Sequence, residues 1–189
     1  AVGGCGDDLL LGSVGNNRLT GGEGSDTYKF AAGWAADTIE DYGILGTDTL
    51  DFSAVMSQLT VTIQADGKVS IVDDAGNPNT LEDAETIENI ILGSGNDTFV
   101  FESGATFLGT LNGGGGTNEL DYSAYEAAVT VDLTAGTATA SEVITSITNI
   151  RVIAGGSGDD ILTGDSGVNR LEGGPGSDVL RGGAAIDTL

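Results

Sequence analysis

Aspartate or asparagine returns at a fixed step along this sequence, always in the same company. In GGSGDDILTGDSGVNRLEGGPGSDVLRGG (155–183), Asp160, Asn169 and Asp178 stand nine residues apart, and Asp187 follows after nine more. Two residues beyond each lies a leucine: Leu162, Leu171, Leu180 and Leu189. Oxygen-bearing side chains at constant spacing have the chemistry of hard-cation binding. The chain has no histidine and a single cysteine, Cys5. That removes His-dependent triads, histidine zinc sites, thiolate clusters and an internal disulfide together.

A nine-residue frame, G-G-x-G-x-D-x-U-x with U apolar, organises most of the glycine. It fits three times in succession at GGCGDDLLL (3–11), GSVGNNRLT (12–20) and GGEGSDTYK (21–29). Two looser, eleven-spaced copies follow around Asp37 and Asp48. Further copies lie at GSGNDTFV (93–100), at GGGGTNELD (113–121), and four times within 155–189. The sixth frame position is then Asp8, Asn17, Asp26, Asp37, Asp48, Asp97, Asn118, Asp160, Asn169, Asp178 and Asp187. The fourth position is glycine throughout except at Ala35 and Ala185, and the eighth is always apolar or aromatic.

Composition bounds what such an array can do. The 189 residues include 32 glycines, well above the usual share of roughly 7%, and only two prolines. Acidic residues number 29 against 6 basic ones, a formal net charge of -23. Phosphate backbones are repelled by such a chain, so nucleic acid is not a partner. A glycine-rich acidic chain also resists compaction unless cations neutralise it. No apolar run approaches the 18 or so residues of a transmembrane helix, and no secretory signal is visible at the start. The sequence opens and closes within a repeat, so a longer parent protein is expected.

The elements that must position the array are short strands. Each unit reads as a glycine turn followed by about three residues with one inward side chain at the eighth position. One such strand cannot bury its face alone. Two units make a coil of eighteen residues, and stacked coils pair as parallel strands around a narrow apolar interior. Between the repeat blocks lies a duplicated element: LDFSAVMSQLTVTI (50–63) aligns without a gap to LDYSAYEAAVTVDL (120–133). Both copies run into β-branched sequence, VSIV (69–72) and VITSI (143–147), and both end in I-x-N-I, at Ile87–Ile90 and Ile147–Ile150. The stretch at 73–82 reads as an exposed polar loop and lacks the spacing of an EF-hand. Thr80 and Asp83 allow one helical turn before a strand at Ile87–Ile91. The expected organisation is an N-terminal repeat block (1–50), a first linking element with glycine turns (51–120), a second linking element (121–153) and a C-terminal repeat block (154–189), forming one continuous solenoid.

An aspartate every nine residues returns to the same edge of the stack with every second unit. Asp8 should lie over Asp26, Asp26 over Asp48, Asn17 over Asp37, Asp97 over Asn118, Asp160 over Asp178, and Asn169 over Asp187. Stacked carboxylates repel unless a cation sits between them. Calcium accepts six to eight oxygens in flexible geometry, and glycine turns offer carbonyls from the second and fourth positions: Gly4, Gly6, Gly22, Gly24, Gly156, Gly158, Gly174 and Gly176. Magnesium, with its tighter octahedron, is less suited. Trp34 and the tyrosines Tyr28, Tyr42, Tyr122 and Tyr125 read as packing or capping residues.

The tandem nonapeptide resembles the repeats-in-toxin (RTX, haemolysin-type) calcium-binding family, and DTLDFSA and NELDYSA look like linking segments of large RTX proteins. The resemblance implies an all-β fold, a parallel β-roll or β-solenoid, with several calcium ions held between coils. It further implies export by a type I secretion apparatus and folding outside the cell, where calcium is abundant. Asn17, Asn118 and Asn169 lower the charge of their sites relative to the family pattern. The expected function is a calcium-binding module, without catalysis of its own, of a secreted or cell-surface bacterial toxin or adhesin. The alternatives are the non-catalytic tail of a secreted protease, lipase or epimerase, or a module whose linking elements bind a host glycan or receptor.

Overall fold

Leu10, Tyr28, Leu50, Ile90, Leu111 and Ile147 lie one above another, each the Cα partner of the next in a parallel ladder. A second line runs Val61, Phe99, Leu120, Ile153 and Leu171. A third joins Val131, Leu162 and Leu180. These are the eighth-position residues and their counterparts in the linking elements, and all but Leu180 are buried. The period of two turns one side chain per short strand inward, and burial of that side chain against the coils above and below supplies the drive for stacking.

The structure, a computed structural model, describes residues 1–43, 45–76, 78–81, 87–139 and 143–189. Among these there are strands and turns and no helix. The chain alternates between one long sheet and two shorter ones. The long sheet has ten strands, in the spatial order β1 (Val2–Cys5), β3 (Arg18–Glu23), β5 (Asp37–Glu40), β9 (Pro78–Leu81), β8 (Val69–Asp73), β7 (Leu59–Ile63), β11 (Thr98–Phe101), β13 (Glu119–Asp121), β18 (Val152–Ala154) and β20 (Arg170–Glu172). The six-stranded sheet runs β17 (Ser146–Thr148), β12 (Thr110–Asn112), β10 (Asn89–Ile91), β6 (Thr49–Ala54), β4 (Thr27–Ala31) and β2 (Leu9–Leu11). The five-stranded sheet runs β16 (Val143–Ile144), β15 (Thr137–Thr139), β14 (Thr130–Asp132), β19 (Ile161–Thr163) and β21 (Val179–Arg181). Pairing is parallel except at β7–β8–β9 and β14–β15–β16. Both exceptions belong to the linking elements, so the repeats stack and the links fold back on themselves.

The two linking elements share a turn. In each, an aspartate accepts the N–H two residues on (Asp51 from Ser53, Asp121 from Ser123), and the aromatic carbonyl accepts the N–H three residues on (Phe52 from Val55, Tyr122 from Tyr125). The aromatic of the LDFSA and LDYSA motifs stacks on an aromatic of the preceding coil. Phe52 lies on Phe30 and Tyr122 on Phe101, each with ring centroids 4.6 Å apart. Trp34 packs edge-on against Phe30 and Phe52, as a packing role requires.

Two expectations change. The stretch at 73–82 is not a loop throughout: β8 ends at Asp73, and β9 lies inside the long sheet between β5 and β8. Antiparallel pairing with β8 and parallel pairing with β5 hold it there, and Asn79 is fully buried. The I-x-N-I motifs also occupy different places. Ile90 matches Ile147 through Leu111, and Ile150 falls between β17 and β18. The strand expected at Ile87–Ile91 is β10, Asn89–Ile91; of the helical turn allowed before it, Thr80 lies in strand β9 and residues 82–86 fall outside the described ones.

Candidate metal centres

The repeated Asp and Asn residues form four columns along the edges of the stack, held by one recurring hydrogen bond. The backbone N–H of one sixth-position residue donates to the side-chain oxygen of its counterpart one coil further on. In the first column Asp8 donates to Asp26 Oδ1 at 2.8 Å and Asp26 to Asp48 Oδ1 at 2.6 Å. In the second, Asn17 donates to Asp37 Oδ1 at 2.7 Å. In the third, Asp97 donates to Asn118 Oδ1 at 2.9 Å and Asn169 to Asp187 Oδ1 at 2.9 Å. In the fourth, Asp160 donates to Asp178 Oδ1 at 2.9 Å. Every vertical pair read from the spacing is present. The repulsion expected between stacked carboxylates is met in part by these N–H groups, one for each Oδ1.

Several members of the columns carry no signature in the frame. Glu88 Oε2 accepts the Asp48 N–H at 2.7 Å and extends the first column. Asn79 Oδ1 accepts the Asp37 N–H at 3.2 Å and extends the second. Leu59 and Val129, equivalent residues of the two linking elements, donate their N–H groups to Asp97 Oδ1 and Asp160 Oδ1, 2.7 and 2.8 Å away. The links therefore close the third and fourth columns with an apolar residue where a repeat has an acid. Arg151 holds the level between Asn118 and Asn169, its N–H on the Asn118 carbonyl and its carbonyl accepting from Arg170. An outer ladder at the fifth frame position runs beside the columns: Ser25 donates to Asp7, Thr117 to Asn96 and Ser177 to Asp159.

The glycine turns bring backbone oxygen to the same edges. Gly4, Gly6, Gly22, Gly24, Gly174 and Gly176 all have positive φ, which places successive peptide planes where an L-side chain is strained. A Cβ on Gly22 would meet the Gly4 carbonyl oxygen at 2.2 Å. Gly156 and Gly158 differ: without positive φ, they lie against the backbone of the second linking turn, at Tyr125 and Ala127–Ala128. The frame also hid a role for its first glycine. A Cβ on Gly3, Gly21, Gly155, Gly173 or Gly182 would meet Oδ2 of the next sixth-position aspartate within 2.4 Å. In these five turns the first glycine leaves room for the carboxylate of its own turn, whereas Ala32 and Leu92 hold that position before Asp37 and Asp97.

A hard cation fits the acidic levels. Oδ2 of Asp26, of Asp37 and of Asp97 is buried without a hydrogen-bond partner, while Oδ1 of the first two and of the third is held by an N–H as above. An orphaned buried carboxylate oxygen carries a large desolvation cost unless a cation meets it. The column side chains and turn carbonyls offer oxygen, with no thiolate or imidazole among them, which selects calcium over softer metals. Burial pushes the carboxyl groups of Asp26 and Asp37 up, and that of Asp97 up to about 6. Asp48 rises to about 7, first through burial and then through the negative charges of Asp41, Glu88 and Asp26. Carboxyls perturbed in this way gain most when a divalent ion replaces the proton.

The amide levels are different. Asn118 Nδ2 reaches the carbonyls of Gly113, Gly115 and Asn149 at 2.8–2.9 Å, so the amide itself occupies the oxygen-lined hollow. Asn149 adopts a left-handed φ of 60° at this point. Arg151 lies 3.5 Å from Asp165 Oδ1, and a guanidinium there supplies positive charge to the turn at Gly164–Gly167.

Stacked glycine turns with oxygen-lined edges define a parallel β-roll of the calcium-binding class. The family model for the RTX calcium-binding nonapeptide repeat matches residues 2–39 and 154–189, in four copies, and these two blocks are repeats of that family. The turns ending at Asp48, Asp97 and Asn118 lie between the matched segments and share their geometry. No curated protein matches the chain.

Proposed function

We propose that this chain is a calcium-gated folding module of a secreted bacterial protein, exported by a type I apparatus and without catalysis of its own. The observation that carries this reading is the set of buried, partnerless carboxylate oxygens at Asp26, Asp37 and Asp97 in a chain of net charge -23. Without cations, self-repulsion and desolvation oppose the stack; with calcium, binding free energy becomes folding free energy. Calcium is scarce in the cytosol and abundant outside, so the chain passes the export channel unfolded and folds on emergence. Asp26, Asp37, Asp48, Asp97, Asp160 and Asp178 would hold the ions with turn carbonyls, while Asn118 and Arg151 serve levels that need none. The parent is a toxin or adhesin on this reading. Among the described residues no helix is long and apolar enough to cross a membrane.

Far-UV circular dichroism in calcium and in EGTA, with calorimetric titration of calcium, tests the gating. The β signal should collapse in EGTA and return with a midpoint of about 10⁻⁴–10⁻³ M calcium, the range of extracellular calcium modules. A β signal unchanged in EGTA together with no calcium uptake would falsify the reading.

A further inference from the structure

Two departures from the repeat meet at one place. The spacing between Asp37 and Asp48 is eleven residues instead of nine, and the eighth position of the third copy is Tyr28 where most copies have an aliphatic. The longer spacing brings in Asp41, which belongs to no frame position of the acidic series. Its side chain is turned inward and only 3% exposed. Asp41 Oδ1 accepts the Gly43 N–H at 2.9 Å, and Oδ2 accepts the Tyr28 hydroxyl at 3.0 Å. The same hydroxyl accepts the Gly21 N–H at 2.7 Å, so Tyr28 is pinned from both sides.

Ligand oxygens of Asp26, Asp41 and Asp48 lie within 4.8 Å of one another, and among the described residues no other three carboxylates come so close. Asp26 and Asp48 are 1% and 2% exposed. Asp26 Oδ2 is the partnerless oxygen of the trio, and it faces the hollow: a Cβ on Gly21 would meet Asp26 Oδ2 at 2.1 Å and the Tyr28 hydroxyl at 2.5 Å. The ion pairs of Arg18 with Glu40, Lys29 with Asp51, Arg151 with Asp165 and Arg170 with Glu172 all lie elsewhere.

We propose that Asp41, an off-frame residue, is the third carboxylate ligand of a divalent-cation site between Asp26 and Asp48, and that this is the tightest site of the roll. Affinity in oxygen sites rises with the number of charged ligands and with rigidity. Asp41 supplies the charge, and its bonds from Tyr28 and Gly43 supply the rigidity. Filling this site first fixes the turns at Gly21–Asp26 and Gly43–Asp48 against each other and gives later coils a template. The inference rests on the calcium reading above, and its own content is the role of Asp41.

Asp41→Asn keeps the size and the acceptor for the Gly43 N–H, turns an NH2 donor toward the Tyr28 hydroxyl oxygen, and removes the charge. Calcium titration by calorimetry should show the highest-affinity step weakened by about tenfold or more, with the later steps weakened less. Asp66→Asn, an equal charge change in an exposed turn, should leave that step alone. An independent measurement on the unsubstituted side of the site uses terbium: the first equivalent should give strong emission sensitised through tyrosine, lost in Tyr28→Phe. No calcium binding by the wild-type chain would remove the calcium reading itself. Calcium binding with an unchanged first step in Asp41→Asn, or first-equivalent terbium emission indifferent to Tyr28→Phe, would overturn this inference alone.

Discussion

The column Asp8–Asp26–Asp48–Glu88 runs along the six-stranded sheet and the column Leu59–Asp97–Asn118–Arg151–Asn169–Asp187 along the long one, and both use the same N–H-to-side-chain bond. They treat charge in opposite ways. In the first, acid follows acid, and Asp41 adds a further carboxylate beside Asp26 and Asp48. In the second, two acids share the column with a leucine, two amides and an arginine. Asn118 fills its turn with an amide that donates to carbonyls, and Arg151 brings a covalently attached cation to Asp165. Of its carboxylates, Asp97 is the one left with a buried partnerless oxygen. A roll can thus meet the oxygens of its turns either with an external ion or with groups of its own. The chain uses both, so its dependence on calcium should be uneven along its length.

Exchanging the two modes should produce the largest effect. Asn118 is fully buried, and its amide faces three carbonyl oxygens. Asn118→Asp turns that contact into repulsion and leaves a buried charge unpaired, a cost of about 3–5 kcal/mol without calcium. With calcium, Asp97, the new carboxylate and the turn carbonyls supply a ligand set, so part of the loss returns. Asp48→Asn does the reverse, keeping the acceptor for the Asp26 N–H while lowering the charge of the first column. Denaturant midpoints at limiting and saturating calcium measure both. The gap between the two conditions should widen for Asn118→Asp and narrow for Asp48→Asn; equal gaps would mean that the columns do not differ in the way described.

A smaller effect separates packing from charge. A Cβ on Gly21 would meet Asp26 Oδ2 and the Tyr28 hydroxyl, and one on Gly113 would meet Asn118 Nδ2 at 2.5 Å and the Asn149 carbonyl at 2.7 Å. Gly21→Ala and Gly113→Ala should each cost about 1–3 kcal/mol through overcrowding. Only Gly21→Ala should also weaken calcium binding, since its clash falls on a carboxylate. Matching losses of calcium affinity in the two variants would place an ion at Asn118 as well.

The columns were legible in the sequence where period and residue type agree. The nine-residue step alone places Asp160 over Asp178 and Asn169 over Asp187, because parallel stacking converts sequence period into vertical register. Where another force sets the register, the signal fades. Asn79-Thr80-Leu81 repeats the sixth-to-eighth pattern of a true unit, yet it lacks a glycine at the fourth position, and the β7–β8–β9 meander puts it in place instead. Glu88 is one methylene longer than the frame allows and reaches the same N–H from a linking element. Leu59 and Val129 occupy acidic positions with apolar side chains, which no motif of acids could find, although the alignment of the two links already made them equivalent. Asp41 was hidden by the irregular spacing that gives it its place.

The smallest expected effect is the dependence on pH, and it divides the columns again. Burial and the neighbouring carboxylates push Asp48 up to about 7, and burial pushes Asp97 up to about 6, from the 3.8 of an ordinary aspartate. A raised carboxyl contributes stability that is complete below its unfolded value and disappears as pH rises through its folded value. The metal-free roll should therefore gain stability as pH falls from about 8 to about 5, while calcium must expel protons to bind over the same interval. The first column should respond at the higher pH, because the charges of Asp41, Glu88 and Asp26 add to burial at Asp48, whereas burial is the cause of the rise at Asp97. Calcium calorimetry in buffers of differing ionisation enthalpy, with an excluded osmolyte added to hold the metal-free fold, counts the released protons. Release near neutrality should vanish in Asp48→Asn, and release near pH 6 should diminish in Asp97→Asn. If Asp97→Asn alone abolished the neutral component, the order of the two columns would be inverted, and the crowding of carboxylates around Asp48 would have no influence on how calcium enters.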